Sequence, residues 1–171
     1  MSKESISAEL LQLFQSDQKD RTNASQEGGF QCMVSNDSVR LERGREIYNG
    51  YKEGKVALSG DDLYNLAMLF QHARDAEDYK IAEELASLSA RRGNEHAKWL
   101  AAAAEDRHLL RIGEKQKWGT QFKKTKNGEY EQAPILSDAE SGITDAMRAE
   151  CGIPARAEQL AVYLSLVQQE K

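Results

Sequence analysis

Leu63-Tyr64-Asn65-Leu66-Ala67-Met68-Leu69-Phe70-Gln71-His72 opens the run that decides the fold, and Lys115-Gln116-Lys117-Trp118-Gly119-Thr120-Gln121-Phe122 closes it. In the first string Leu63, Leu66, Ala67 and Phe70 recur at helical spacing, which predicts an amphipathic helix with one apolar face. Ser59-Gly60-Asp61-Asp62 stands just before it as a capping box, the Ser59 hydroxyl bonding a free amide while Asp62 reaches back. This helix is predicted over Asp61 to Arg74. A second starts near Asp75 and stops at Arg91-Arg92-Gly93, cations before a glycine being an ordinary helix end. A third, capped by Asn94, carries Trp99, Leu100 and the Ala101 to Ala104 run and closes at Gly113.

Small residues at Ala82, Ala86, Ala90 and Ala97 let neighbouring helices approach closely. The pattern predicts a mainly α fold of helical hairpins packed in the tetratricopeptide manner, with a helical core over residues 61–112. After Gly113 the apolar period shifts from 3.6 towards 2. Asn127-Gly128 lies between Lys117 to Lys123 and Glu129 to Ile135, predicting one small two-stranded β-hairpin near residues 117–134.

Outward from this centre, Ser7 to Arg21 reads as a helix capped by Ser7, with Leu10, Leu11, Leu13 and Phe14 as its apolar stripe. Residues 22–37 break the pattern with Asn23, Ser25, Gly28, Gly29, Ser35 and Asn36, and are expected to be a mobile loop. A helix from Ser38 to Lys52 follows, burying Val39, Ile47, Tyr48 and Tyr51. Beyond Pro134, a short helix is expected over Thr144 to Glu150, and a last one over Ala155 to Gln168.

The totals narrow the function classes. A chain of 171 residues suits a single domain and buries a core without disulfides. No stretch approaches the roughly 18 apolar residues of a membrane span. The opening Met1-Ser-Lys-Glu-Ser-Ile-Ser7 lacks the apolar core of a secretory signal, so no membrane association and a cytoplasmic location are expected. Cys32 and Cys151 stand far apart, as reduced thiols do. A net charge of -5 argues against nucleic acid as the partner, even with Lys115, Lys117, Lys123, Lys124 and Lys126 on the ribbon. No glycine-rich phosphate loop, nucleophile elbow or zinc spacing is present, so no cofactor and no metal are expected.

Asp17-Gln18-x-x-Arg21, Gln71-His72, Asp106-Arg107 and Gln116-x-Trp118-Gly119-Thr120-Gln121 together resemble the motifs of an uncharacterised family, a domain of unknown function. The resemblance spans most of the chain and is weakest over residues 22–39 and after Pro134. It implies no activity. It directs attention to Asp17, Gln18, Arg21, Gln71, His72, Asp106, Arg107, Gln116, Gly119, Thr120 and Gln121. Trp118 stands where related sequences more often carry a smaller aromatic.

Those residue types fit an anion-holding acid–base site. His72 transfers protons near neutrality, with Asp106 or Asp17 to orient it. Arg21 and Arg107 suit a carboxylate or phosphate. Gly119 opens the backbone to a ligand, and Thr120 and Gln121 add uncharged hydrogen bonds. The expectation is a small-molecule or peptide-sized ligand, bound where the first helix, the His72 helix and the Trp118 to Gln121 segment converge, with His72 and Asp106 as its catalytic pair. Two other readings remain open. The polar residues can form a structural network that pins helices in register. The chain can instead be a non-catalytic module that holds a protein partner.

Overall fold

The computed structural model describes residues 3–169, with side chains described from 5 to 168. Five helices come first: α1 (Lys3–Asn23), α2 (Gly29–Lys52), α3 (Gly60–Gln71), α4 (Ala76–Arg91) and α5 (His96–Arg111). The hairpin strands β1 (Phe122–Lys124) and β2 (Tyr130–Gln132) follow, then α6 (Asp138–Ser141), α7 (Asp145–Glu150) and α8 (Gln159–Gln169). Among the described residues, no helix is long and apolar enough to cross a membrane. The architecture is mainly helical with one antiparallel hairpin, as the spacing predicts.

α3 is the hub. Leu63, Leu66, Ala67 and Phe70 are fully buried and meet Leu10 of α1, Ile47 of α2, Leu85 and Ala86 of α4, and Leu100 and Ala104 of α5. The Ser59–Asp62 capping box forms as expected and starts this helix. Connections of only four residues join α3 to α4 and α4 to α5, so neighbouring helices run back along each other as hairpins. The alanines at 82, 86, 97 and 102–104 are buried at those contacts, where a larger side chain would push the helices apart. Gly44 on α2 serves the same end against Leu66 and Leu69.

Several local expectations are corrected. Ser7 does not cap a helix: α1 already includes Lys3, and the Ser7 hydroxyl donates to Asp62 at 2.9 Å. Leu11 and Val39 face out rather than into the core. Asn94 caps nothing through its side chain, which donates to Asp61 instead.

The largest correction concerns residues 22–37. Only the stretch between Asn23 and Gly29 turns, through Gly28 at φ 74°, and α2 then runs unbroken through Asp37. The reason is tertiary. Asp37 bonds Arg21 and Arg40, Asn36 donates to Asp20, and Arg21 donates to the Met33 sulfur, so α1 supplies partners for residues that read as loop formers alone.

The hairpin pairs Phe122 with Gln132 and Lys124 with Tyr130. Only Gly128 of the Asn127-Gly128 pair has a positive φ, so the connection is a longer turn closed by Gly128 N–H to Thr125 C=O. The first strand also starts late. Residues 117–120 are not paired; they wrap around a single carboxylate.

Candidate functional site

That carboxylate is Asp106, which is fully buried on α5. It accepts hydrogen bonds from the backbone N–H groups of Lys117, Trp118, Gly119 and Thr120 and from the Thr120 hydroxyl, at 2.8–2.9 Å. Five donors occupy the lone pairs of both oxygens, leaving none for a substrate. Gln116 is fully buried in the same construction. Its amide donates to the Gln121 and Ala133 carbonyls and accepts from the Gln121 N–H. A Cβ on Gly119, whose φ is 90°, would lie 2.1 Å from Gln159 Oε1. The close approach expected there is made by the chain itself.

The loop is locked from its other side by residues that sequence reasoning did not single out. Gln159 and the buried Arg148 both donate to the Trp118 carbonyl, and Arg148 is neutralised by Asp138 and Asp145. Trp118 donates its indole N–H to Glu105. Lys117 pairs with Glu105, Lys123 pairs with Glu131, and Lys124 lies over the Tyr130 ring. Those ribbon lysines are therefore engaged within the chain.

A second cluster forms where α1 meets the end of α3. The partner of His72 is Asp17, with Nδ1 3.0 Å from Asp17 Oδ1. Arg21 grips the same carboxylate with two nitrogens, Nη2 at 2.7 Å and Nε at 3.2 Å. Arg21 Nε is also 3.0 Å from His72 Nδ1, and one ring nitrogen cannot both donate to Asp17 and accept from Arg21. Because Nε already has an acceptor in Asp17, the consistent tautomer carries its proton on Nδ1 and donates it to the carboxylate. Nε2 is then the unprotonated nitrogen. Gln18 adds a hydrogen bond to Asp17 Oδ2.

The charges of this cluster hold one another. Burial by itself would raise the Asp17 pKa, but His72 and Arg21 outweigh it and bring it to about 2. Burial lowers the His72 pKa below its ordinary value; Asp17 opposes the shift, and the Arg21 and Arg107 charges add to it. His72 is thus a neutral imidazole at neutral pH. Asp37, at the end of the stretch expected to be a loop, and Arg40, in the helix expected after it, extend the network: Arg40 bonds Ser16, Asp20 and Asp37. An acid and a base three apart on one helix face were the available signal, hidden by the loop-forming residues around them.

Arg107 belongs to this second side. Its Nη1 donates to the Gln71 carbonyl at 3.1 Å and its Nε to Gln121 Oε1 at 3.1 Å. Among the described residues it has no ion-pair partner. Burial lowers its pKa from the usual guanidinium value; Tyr79 opposes that shift, and the positive charge of Arg21 adds to it.

Arg107, Arg21, Gln71 and His72 line one concavity of about 440 Å3, with Phe30, Met33, Val34 and Tyr79 as its apolar wall. A neighbouring one of about 290 Å3 shares Val34, Asp37, His72, Ala73 and Arg74 and continues to Asp75 and Asp78. The sequence-predicted residues thus fall into two groups. Arg21, Gln71, His72 and Arg107 line the concavity, and Asp17 and Gln18 support it from beneath through Arg21 and His72. Asp106, Gln116, Trp118, Gly119 and Thr120 build the loop behind it, and Gln121 joins the two through Arg107. Asp106 is not a partner of His72, and Asp17 takes the orienting role. Comparison with family models, curated proteins and solved structures gave no match.

Proposed function

We propose that the protein binds an anionic small molecule or peptide-sized ligand in the concavity between α1, α2 and the α3–α4 corner. The observation that supports this is Arg107, a part-buried guanidinium whose partners among the described residues are all neutral. A charge held this way costs folding free energy unless something compensates it, and a ligand carboxylate or phosphate does so. Arg21 has its charge matched by Asp17 and Asp37, whereas Arg107, like Arg74 on the same lining, has no carboxylate partner among the described residues. Phe30, Met33, Val34 and Tyr79 receive the ligand's apolar part.

The Asp17–His72 pair adds an acid–base element. With Nδ1–H held by Asp17, Nε2 is left as the basic nitrogen for a ligand held on the lining that His72 shares with Arg107. Proton abstraction beside an anionic group is the reaction class this arrangement serves. Asp106 has no share in it.

Calorimetric titration with aliphatic and aromatic carboxylates and phosphate monoesters tests the binding reading. Wild type is expected to bind at least one class, and Arg107→Met to lose that binding while keeping its melting temperature. Equal binding by both proteins would sink the proposal.

A second reading has its own observation. An apolar hollow of about 120 Å3 lies beside α8, lined by Trp99, Phe122, Val162, Tyr163 and Leu166, and Leu166 is 54% exposed. An exposed apolar surface of this kind supports a protein-holding module. Leu166→Glu is expected to leave anion binding intact. Under this second reading it would abolish partner capture.

A further inference from the structure

Gln71 is only 4% exposed, yet among the described residues its Oε1 has no hydrogen-bond partner. Its Nε2 reaches the Met68 sulfur, a weak acceptor, at 3.6 Å. A buried amide oxygen without a donor is expensive, and native interiors tolerate few of them. Gln71 lines the same concavity as Arg107 and His72. With the positive charges of Arg21 and Arg107 on that lining, the oxygen is the end of the amide that the local field favours.

The concavity therefore offers three different polar demands. Arg107 needs a negative charge. Gln71 Oε1 needs an N–H or O–H donor. His72 Nε2, unprotonated once Nδ1–H is committed to Asp17, is a second acceptor. A phosphate monoester dianion carries acceptors only and leaves both Gln71 and His72 unmet. A carboxylate with a donor on the adjacent carbon meets the demands of Arg107 and Gln71 together.

Building on the anion-binding reading above, we infer that the ligand is an N-acylated amino acid or the C-terminal residue of a peptide. Its carboxylate pairs with Arg107, its amide N–H serves Gln71, and an apolar side chain packs among Phe30, Met33, Val34 and Tyr79. The volume of about 440 Å3 accommodates a ligand of one or two residues. The acyl or peptide portion leads towards the neighbouring concavity, which shares His72 and Arg74 and is lined by Asp75 and Asp78. That second lobe carries Asp75 beside an Arg45–Asp78 ion pair, so a free amine at the far end of a short peptide is matched by Asp75.

The test is calorimetric binding to wild type of five probes that share a phenyl group. They are N-acetylphenylalanine, 3-phenylpropanoate without the amide, N-acetylphenylalaninamide without the charge, phenyl phosphate, and a tripeptide ending in phenylalanine with a free carboxylate. N-acetylphenylalanine is expected to bind about tenfold or more tightly than 3-phenylpropanoate, since a site built around a hydrogen bond discriminates against the ligand that lacks it. The neutral amide is expected not to bind.

In Gln71→Met the preference for N-acetylphenylalanine over 3-phenylpropanoate falls to near one, and in Arg107→Met both carboxylates are lost. Tighter binding of the tripeptide than of N-acetylphenylalanine identifies a peptide as the natural class; equal binding identifies an acylated amino acid. Equal affinity of wild type for N-acetylphenylalanine and 3-phenylpropanoate, or a preference for phenyl phosphate, overturns the role of Gln71 and leaves anion binding standing. Binding of no anion at all overturns both. Should Gln71→Met fail to fold, the wild-type ratio alone decides.

Discussion

Asp106 and Arg107 are consecutive on α5, and the structure treats their charges in opposite ways. The Asp106 carboxylate accepts five hydrogen bonds from the loop it organises, while the Arg107 guanidinium has two neutral acceptors and, among the described residues, no counter-ion. A group saturated by its own chain has nothing left to offer a ligand. A charge left partly unmet at a concave surface has. The comparison separates residues that build the protein from residues that act for it, within a single dipeptide.

The largest expected effect lies on the saturated side. Asp106→Ala strips an acceptor from four backbone N–H groups at once and should cost roughly 3–5 kcal/mol in urea denaturation, after partial relaxation of the loop. Gly119→Ala comes next, because the added Cβ meets Gln159 and Gln132 and the positive φ resists a side chain. A loss of about 1–3 kcal/mol is expected. Both changes should lower the melting temperature without altering which ligands bind. A ligand preference altered in Gly119→Ala at preserved fold would move the loop from scaffold to site.

At the start of α3, Ser59→Ala removes the capping box and should cost about 1 kcal/mol. The contrast sharpens most at Arg107→Met, expected to stay within about 1 kcal/mol of wild type. There the relief from burying an unpaired charge offsets two lost hydrogen bonds. A loss as large as that of Asp106→Ala would place Arg107 with the scaffold and erase the distinction between the neighbours.

How much of this was legible in the sequence follows from whether the cause is local. The α3 capping box, the 3.6-residue period of Leu63 to Phe70 and the closing glycines are local signals, and the helices they predict are present. Residues 29–37 misled because their helix rests on partners sixteen residues away in sequence on α1, such as Asp20 for Asn36 and Arg21 for Asp37. The motif residues were found as a set, but composition cannot divide them. Asp106 and Asp17 are both buried aspartates beside arginines, and only the backbone path of residues 117–120 decides that Asp106 is enclosed by amides while Asp17 faces His72. Arg148 and Gln159 gave no signal at all, since their role depends on where α7 and α8 return against the Trp118 carbonyl.

The smallest effect is a slope, and it tests the histidine directly. The His72 pKa is lowered in the folded state from the ordinary 6.5, chiefly by burial. Between 6.5 and the lower folded value the unfolded chain binds a proton at this position and the folded chain does not. Stability must therefore fall as pH is lowered through that window and become insensitive to His72 above it. In His72→Gln this part of the slope should vanish, leaving the curves of the two proteins parallel above neutrality and diverging below about pH 6.5. Urea midpoints measured from pH 7.5 to 5 provide the check. An anion bound at Arg107 should shrink the effect in wild type, because a negative charge beside His72 favours its protonated form and raises its folded pKa towards 6.5. If the wild-type slope is unchanged by a ligand that binds through Arg107, the anion and the imidazole do not share one pocket, and His72 belongs with Asp106 among the residues that only hold the fold.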